Sequence, residues 1–555
     1  SLEFTDESYL IKLSDANSQR HQIYGIYDFE EVDNKVVSVQ LSTYFEGVSF
    51  ELAEITDIVV EENNGELEID SPGNKSGLKQ LKRYPIFTSK ENSYAYYDQR
   101  ATQGGVYARD SFYFQIIPFV IDSVDNFENK SLKFDGTFAS AGIFPEFEET
   151  LLLQEDFSLG FSRPTPPEGY EVYGGKGKFF QTINLSNEGL RGDGYLEYLT
   201  STTESKALYF HPDYAFGMAE NYIIEEQLGE VEYPPVTGQD VFVKWQPRKD
   251  FMTVATKEKP MRFYDGESKF SGKINYNPKE LRGGGKYEFQ EATLYSKDYL
   301  FKFIEFYSDT ADFRLKSLVD NSLTFNTSNV NAHVDFKERK ALFISNGGSS
   351  EIEFPENQYI ARMDRFTWYM DSELIELSGG KVTEEQAKSG LSLEGSKFTS
   401  VHPDQDSLNF YSSAAKYNYN TKIINAEEVK ILPVGDAFVY PDSGLITIRA
   451  AAKMDPLKNA TITANTTTEY HKIYEVNLNV LGRLNYKGTG KIDYIDETKN
   501  KQTIELNKIY LDTTYQTVAT GDIKKIKTLC RIDTKNELEY YKNGGILQYV
   551  LRNMI

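Results

Sequence analysis

A short glycine-containing motif occurs three times in the 555 residues and constrains the fold more than any other feature of the sequence. It spans 190–198 (LRGDGYLEY), 281–289 (LRGGGKYEF) and 488–494 (GTGKIDY). Each copy contains Gly-x-Gly and then alternates apolar and acidic residues, and this period of two is typical of β-strands. Glycine permits a sharp bend or a close backbone approach. We therefore predict structural turns that lead into strands at Gly192, Gly194, Gly283, Gly285, Gly488 and Gly490.

The residues after the glycines indicate which strand face is buried. The apolar pairs that share one face are Leu196/Tyr198, Tyr287/Phe289 and Ile492/Tyr494, and the acids that face the other way are Glu197, Glu288 and Asp493. The first glycine of the second copy lies 91 residues after that of the first copy, and the first glycine of the third copy lies 205 residues after that of the second. This irregular spacing predicts one reused β unit and excludes a solenoid of strict period.

The rest of the sequence also favours β-structure. There are 39 Tyr and 36 Phe residues, which are enriched in strands, and alternating runs recur, for example at 36–41, 112–117 and 474–480. We predict an all-β fold, an elongated, groove- or solenoid-like stack of antiparallel, repeat-like strands with a short C-terminal helix at about 545–553. Short helices are also predicted at 215–228 and 381–388.

Changes in composition and turn signals suggest six regions. They are an N-terminal β segment (1–72), a β region (73–163), the region with two copies of the motif (164–320), a β region with a small helical insert (321–421), a further β repeat region (422–523) and a tail with a helix (524–555).

Charge and cysteine content exclude several classes of function. The formal net charge is −24, which repels phosphate backbones and anionic membrane surfaces, so we expect no nucleic-acid partner. No apolar run approaches the roughly 18 residues of a membrane-spanning helix, so we expect no transmembrane segment. Cys530 is the only cysteine of the sequence, which excludes an internal disulfide framework or a cysteine-rich metal site. No signal peptide is visible, and the first residue is Ser1, consistent with a removed leader or a fragment.

No motif predicts a catalytic, cofactor-binding or metal-binding residue. None of the five histidines lies three or four residues from another, and Gly-x-Ser-x-Gly is absent. Two His-Pro-Asp triplets, at 211–213 and 402–404, are interpreted as turns. The alternating acids at 66, 68 and 70 favour a solvated strand face over a calcium site. Arg191-Gly192-Asp193 matches an integrin-binding tripeptide, but the second copy has Arg-Gly-Gly there, which favours a structural role.

Residues 60–520 resemble large, uncharacterised β-repeat proteins of the cell envelope of Bacteroidota-type bacteria. The segments that carry the resemblance are 74–78 (NKSGL), 84–87 (YPIF), 141–145 (AGIFP), 173–177 (YGGKG), 199–202 (LTST) and 233–236 (YPPV). The repeated Gly-strand units are also loosely similar to the stacked β-grooves of AsmA/TamB-type envelope proteins. The resemblance implies export to the periplasm, outer membrane or cell surface and transfers no catalytic residue.

The C-terminal tail, 530–534 (CRIDT) and 537–555 (ELEYYKNGGILQYVLRNMI), closely resembles the C-terminus of aconitate hydratases. It predicts a helix after Gly545 with Leu547, Val550 and Leu551 on one face. Aconitases bind an iron–sulfur cluster through three cysteines, whereas this chain has one, and the match does not make Cys530 a ligand. The resemblance implies a fused or mis-joined reading frame, with the junction near 521–529.

From these observations we expect a non-catalytic structural or carrier protein of the bacterial envelope, without a cofactor. Its expected partners are envelope components, with lipid or glycan as candidates. One alternative is a surface carbohydrate-binding protein or adhesin, in which exposed aromatic residues such as Trp368 and Tyr369 stack on sugars, although core packing is the default for an aromatic residue in an alternating strand. A second alternative, from the tail alone, is an aconitase-like hydratase.

Overall fold

The structure is a computed structural model. It describes residues 2–5, 8–11, 25–32, 35–45, 48–61, 84–121, 132–154, 157–347, 350–379, 395–465, 471–495, 499–521, 534–542, 546, 549, 550 and 552, with side chains from residue 89 onward except 121. Strands dominate these residues, and the pairs with an assigned register are antiparallel. The predicted all-β class with a short C-terminal helix is confirmed.

Among the described residues, nine strands precede residue 122, and they are numbered, like all later strands, in chain order. They are β1 Leu2–Thr5, β2 Ser8–Ile11, β3 Gly25–Val32, β4 Lys35–Phe45, β5 Val48–Glu61, β6 Tyr84–Ser89, β7 Ser93–Tyr96, β8 Phe112–Ile116 and β9 Val120–Ile121.

The central part of the chain contributes twenty-one strands. They are β10 Lys133–Ser140, β11 Phe147–Leu153, β12 Leu159–Pro164, β13 Tyr170–Val172, β14 Gly177–Ser186, β15 Gly189–Tyr198, β16 Ser201–Phe210, β17 Ala215–Ile224, β18 Val236–Gln246, β19 Phe251–Ala255, β20 Met261–Phe263, β21 Ser268–Asn277, β22 Glu280–Phe289, β23 Ala292–Phe301, β24 Glu305–Lys316, β25 Leu323–Asp335, β26 Lys340–Ser345, β27 Ser350–Phe354, β28 Tyr359–Met363, β29 Arg365–Tyr369 and β30 Leu374–Ser378.

The C-terminal part adds twelve strands and the helix. They are β31 Ser396–Ser400, β32 Asn409–Ser412, β33 Ala414–Asn418, β34 Ile423–Glu427, β35 Leu432–Val434, β36 Ala437–Tyr440, β37 Ile446–Ile448, β38 Leu457–Ala464, β39 His471–Gly482, β40 Asn485–Ile495, β41 Lys501–Leu511, β42 Thr517–Gly521 and α1 Lys535–Lys542. Single 3-10 turns span Pro247–Lys249, Tyr264–Gly266 and Pro403–Gln405.

The chain forms two compact units. The first comprises 1–356, 361–380 and 416–422, and the second comprises 357–360, 381–415 and 423–555. In the first unit β14 to β18 pair in succession, and the ladder continues through β19 and β21 to β25. In the second unit β35, β36 and β38 to β42 form a seven-stranded sheet. The first two copies of the motif therefore lie in one unit and the third in the other.

The core of the first unit lies on one face of its ladder because apolar residues alternate along the strands. In β18, for example, Val241, Val243 and Trp245 are fully buried, and the residues between them are the exposed Phe242 and the half-buried Lys244. The Trp245 ring lies 5.3 Å from that of Tyr173 and 5.2 Å from that of Tyr198. Such aromatic contacts supply much of the apolar area that the core buries.

The repeat is larger than the nine residues recognised in the sequence. Strands β14, β15 and β16 each have ten residues, and β21, β22 and β23 repeat them 91 positions later. Tyr173 and Tyr264, before these strands, both have φ of 51°. The hydroxyl of Tyr173 donates to the His211 carbonyl at 2.7 Å, and that of Tyr264 to the Glu305 carbonyl at 2.8 Å. Each of the first two copies thus contains at least three long strands and a tyrosine-anchored turn.

Three helix predictions have different outcomes. The prediction of a helix at 215–228 was wrong, because Ala215–Ile224 is strand β17, and burial of Ala219 and Ile224 between two neighbouring strands overrides the local helix propensity. Residues 381–388 lie outside the described residues. The described C-terminal helix, α1, begins ten residues before the predicted one, although residues 546, 549, 550 and 552 are also helical.

Candidate functional site: the outer face of the repeated sheet

The Gly-x-Gly motifs lie inside strands, opposite a β-bulge in the next strand. Gly192 pairs with Leu208 and Gly194 with Ser205, so two residues of β16 lie opposite Asp193 alone. The same shift occurs between Gly283/Gly285 and β23 and between Gly488/Gly490 and β41. The prediction of turns at Gly192, Gly194, Gly283, Gly285, Gly488 and Gly490 is therefore corrected, since all six lie within β15, β22 or β40.

Close packing from neighbouring strands explains the glycines in the first copy. A Cβ at Gly192 would lie 2.3 Å from Cζ of Phe179 and 2.8 Å from the Phe210 ring. Gly194 has φ of 152°, and a Cβ there would lie 2.1 Å from the carbonyl oxygen of Phe180. An aromatic ring from each flanking strand thus covers Gly192, a known means of protecting glycine within a sheet.

The second copy repeats this arrangement. A Cβ at Gly283 would lie 2.9 Å from the Phe301 ring and 3.2 Å from that of Phe270, and Gly285 has φ of 151°. Phe270 and Phe301 occupy the positions of Phe179 and Phe210, 91 residues later.

In the first copy the outer face carries an aromatic groove of about 660 Å³, formed by β16, β17 and β18. We define this first-copy groove by Tyr209, Phe216, Met218 and Phe242. The rings of Tyr209 and Phe216, which are directly opposite across β16 and β17, have centroids 5.5 Å apart and an interplanar angle of 22°. Met218 pairs with Phe242, and these side chains are 41% and 39% exposed. Such a cluster on a solvent-facing surface indicates a binding surface.

The rim of the first-copy groove is charged but balanced. Three lysines, Lys206, Lys257 and Lys259, and three acids, Glu220, Asp240 and Glu258, line it. The Lys206 ammonium lies 2.6 Å from a Glu220 oxygen, and that of Lys259 lies 2.7 Å from an Asp240 oxygen. The hydrogen bond and the nearby charge of Glu220 raise the pKa of Lys206. The rim therefore offers both donors and acceptors without a net charge.

The second copy has a polar groove of about 520 Å³ at the corresponding bulge. Gly284 and Gly285 form its floor, and Arg282 crosses it with nitrogens 2.8 Å from a Glu280 oxygen and 2.6 Å from an Asp298 oxygen. The hydrogen bond to Glu280 raises the pKa of Arg282. This groove lacks the ring pair of the first copy, so its surface is suited to different chemistry.

A buried histidine lies beside the first-copy groove. His211 is 4% exposed, and its ring contacts those of Tyr214 and Phe216 at 4.7 and 5.1 Å. Its Nε2 lies 3.2 Å from Oε1 of Gln103, whereas Nδ1 is buried without a hydrogen-bond partner. Burial and then the charge of Lys244 lower its pKa to about 4, so the imidazole is neutral at pH 7.

Both His-Pro-Asp triplets have the predicted turn geometry. The His211 amide donates to the Tyr214 carbonyl at 2.8 Å. His402 caps the turn Pro403–Gln405, since its Nδ1 accepts from the Asp404 amide at 3.1 Å. A third histidine, missed in the sequence, belongs to a polar cluster in the second copy.

In this cluster His333 and Tyr307 share the carboxylate of Glu305. His333 Nε2 lies 2.7 Å from Glu305 Oε2, the Tyr307 hydroxyl donates to Oε1 at 2.8 Å, and the two rings stack at 4.3 Å. Burial and the Glu305 carboxylate raise the pKa of Tyr307 to about 12. The pairing of β24 with β25 brings Glu305 next to His333, which lies 28 positions later in the chain, and no local sequence motif indicates this contact.

The aromatic residues proposed for sugar stacking are not on an open surface. Trp368 is fully buried, and its ring lies 5.4 Å from that of Phe289 and 5.8 Å from that of Phe313. The half-buried Tyr369 donates a hydrogen bond to Glu376 at 3.1 Å. Core packing, the default for an aromatic residue in an alternating strand, is therefore confirmed for Trp368, and the alternative of sugar stacking on this ring is excluded because alternation in β29 directs it into the core.

The third copy and the tail differ from the first two copies. Tyr494, predicted to share the buried face with Ile492, is 59% exposed. In α1, Thr534 Oγ1 accepts from the Glu537 amide at 3.3 Å and Glu537 Oε2 from the Thr534 amide at 3.0 Å, which is a capping box. No residue of α1 is buried, and Val550 is 46% exposed.

Several sequence predictions lie outside the described residues. They concern the acids Glu66, Glu68 and Asp70, the cysteine Cys530 and the helix-face residues Leu547 and Leu551. Among the residues that the structure does describe, no helix has the length and apolar character needed to cross a membrane. Among the same residues, no group of three or more His, Cys, Asp or Glu side chains could hold a metal ion.

Comparison with known proteins gives short matches to one enzyme. Aconitate hydratase A of Legionella pneumophila is 82% identical over 34 residues, which are 6% of this chain and 4% of that enzyme. The enzyme of Deinococcus radiodurans is 37% identical over 90 residues, 13% of this chain and 10% of the enzyme. That of Escherichia coli is 54% identical over 39 residues, 7% of this chain and 4% of the enzyme.

These matches confirm the aconitase resemblance of the tail. The chain spans about 4% of the length of the first aconitate hydratases it matches. No protein-family model matches the chain, and no solved structure matches it.

Proposed function

We propose that this chain is a non-catalytic structural or carrier protein of the bacterial cell envelope, exported to the periplasm or outer surface. The observation that favours this function is the reuse of one bulged sheet unit, in which a phenylalanine pair covers a glycine in both copies. The phenylalanine pair on the inner face is kept, while the stacked pair Phe180/Tyr195 on the outer face is replaced by the polar residues Ser271 and Lys286. This division suits a scaffold that presents different surfaces along one sheet.

The location is tested by fractionating bacteria that produce the full-length protein with an epitope tag. We expect the tag in the periplasmic or membrane fraction, with a cytosolic enzyme as the marker for leakage. Recovery with the cytosolic marker would contradict the proposal. Protease treatment of intact cells then separates the periplasm, where the tag is protected, from the cell surface, where it is lost.

The resemblance of the tail motivates a second candidate, an aconitase-like hydratase. The high identity to the Legionella enzyme favours it, but the match covers only 34 residues. Cubane clusters take several cysteine thiolates from the protein, and this sequence has one cysteine. We therefore expect no citrate turnover and no stoichiometric iron in the protein purified without oxygen. Turnover that scales with iron content would favour the hydratase and contradict the scaffold proposal.

A further inference from the structure

We propose that the first-copy groove binds a neutral oligosaccharide by stacking sugar rings on Tyr209 and Phe216. This inference rests on the proposed function and deepens it by naming the class of ligand. A pyranose has an apolar C–H face and an edge of hydroxyls. It therefore needs a flat apolar surface flanked by groups that both donate and accept hydrogen bonds.

The groove supplies the apolar surface. Tyr209 and Phe216 stack on each other across β16 and β17, with centroids 5.5 Å apart, and Met218 and Phe242 extend this surface to the next strand. The groove volume of about 660 Å³ lies in the range of small-ligand sites, which is roughly 300–1,000 Å³.

The rim identifies the ligand as neutral. Three lysines and three acids line the groove, so an anionic glycan meets as much repulsion as attraction. Glu220 and Asp240 are 44% and 57% exposed in their ion pairs, so their oxygens remain within reach of hydroxyls. An acyl chain could form no hydrogen bonds with this charged rim, and it would leave the polar groups of the rim desolvated.

The second copy provides an internal control. At the positions 91 residues after Tyr209, Phe216 and Met218 it has Leu300, Tyr307 and Asp309. Tyr307 donates to Glu305 and stacks on the His333 ring, and the aliphatic Leu300 lies opposite it in place of an aromatic partner. Sugar stacking is therefore expected in the first copy and not in the second.

The test is isothermal titration calorimetry of the full chain with cellohexaose, xylohexaose, mannohexaose and laminarihexaose, with polygalacturonate and oleate as comparators. We expect at least one neutral hexasaccharide to bind, more tightly than either comparator. Phe216→Ala should raise its Kd at least about tenfold, Phe216→Tyr should keep it within about threefold, and the matched control Tyr307→Ala should leave it unchanged.

A second variant separates a loss of binding from a loss of folding. Phe242 is 39% exposed, so Phe242→Ser should fold normally and still raise the Kd several-fold. The inference is overturned if none of the four hexasaccharides binds, if polygalacturonate or oleate binds more tightly, or if Phe216→Ala and Phe242→Ser leave the Kd unchanged. None of these results bears on cell fractionation, so the failure of this inference is distinguishable from that of the proposed location.

Discussion

The first and second copies of the repeated unit place part of their aromatic residues on different faces of the sheet. On the inner face, Leu196 and Leu208 of the first copy are replaced by Tyr287 and Tyr299 in the second, and all four are buried. On the outer face the change is reversed, since the stacked pair Phe180/Tyr195 is replaced by Ser271/Lys286. At these positions the second copy thus has the aromatic residues in its core, whereas the first copy has them on its outer face.

The comparison separates what the bulge needs from what the faces permit. Both copies keep two phenylalanines around a glycine and a second glycine near φ of 150°. The third copy keeps the bulge, but aliphatic side chains surround Gly490, with Ile473 and Val476 methyl carbons 3.0 Å from a Cβ placed there. The bulge therefore requires a small residue and tolerates different neighbours.

The largest difference between the copies is expected from removing one ring of each phenylalanine pair. Phe301 contacts five rings, those of Phe263, Phe270, Tyr287, Tyr299 and Phe306, whereas Phe210 contacts those of Phe144 and Phe179. Each Phe→Ala substitution should lower the free energy of unfolding by about 3–5 kcal/mol, with Phe301→Ala at the upper end. Urea unfolding followed by circular dichroism measures both. A larger loss for Phe210→Ala would contradict the interpretation that Phe301 has the more extensive aromatic contacts in the core.

A smaller but more specific effect is expected at the second glycine. A Cβ at Gly194 or Gly285 meets a backbone carbonyl at 2.1 or 2.3 Å and φ is unfavourable, so Ala should cost at least about 2 kcal/mol in either copy. Gly490 has no such φ, and its Cβ would meet only side-chain methyl groups, so Gly490→Ala should cost less than about 1 kcal/mol. Urea unfolding of the three variants tests the contrast, and equal losses would mean that the third copy is built like the others.

The buried histidine should make the first copy sensitive to acid. The folded-state pKa of His211 is about 4 and the ordinary value is 6.5, so between these values the unfolded state binds a proton that the folded state does not. The free energy of unfolding should then decrease as pH falls from 6.5 to 4, by at most about 1.4 kcal/mol per pH unit.

Urea unfolding at several pH values checks this dependence. His211→Gln should reduce the slope. The second copy has Lys302 at the position 91 residues after His211, so it lacks the equivalent buried histidine. An unchanged slope in His211→Gln would assign the acid sensitivity to other groups.

The smallest effect is expected from the tail. No residue of α1 is buried and Val550 is 46% exposed, so these described residues of the tail contribute little apolar burial. Deleting 524–555 should change the melting temperature by only a few degrees. Deleting 484–523 instead removes β40 to β42 from a seven-stranded sheet and should lower it much more. A large loss from the tail deletion alone would contradict the interpretation of the tail as a fused segment.

The sequence by itself determined the β class, the reused glycine motif, the buried alternation after Gly194 and Gly285, and the aconitase resemblance of the tail. These features depend on local period and identity, which neighbouring residues alone specify. Glu197 and Leu196, for example, lie on opposite faces as the alternation predicts.

Only the tertiary structure decided what the glycines do and which aromatic residues reach the surface. Gly192, for example, lies against the rings of Phe179 and Phe210, whose positions depend on strand pairing rather than on sequence distance. Alternation gives two faces to every strand but does not say which is covered. Alternation alone therefore left both core packing and sugar stacking open for Trp368, which is buried, while Phe216 and Phe242, which line the groove, carried no local signal.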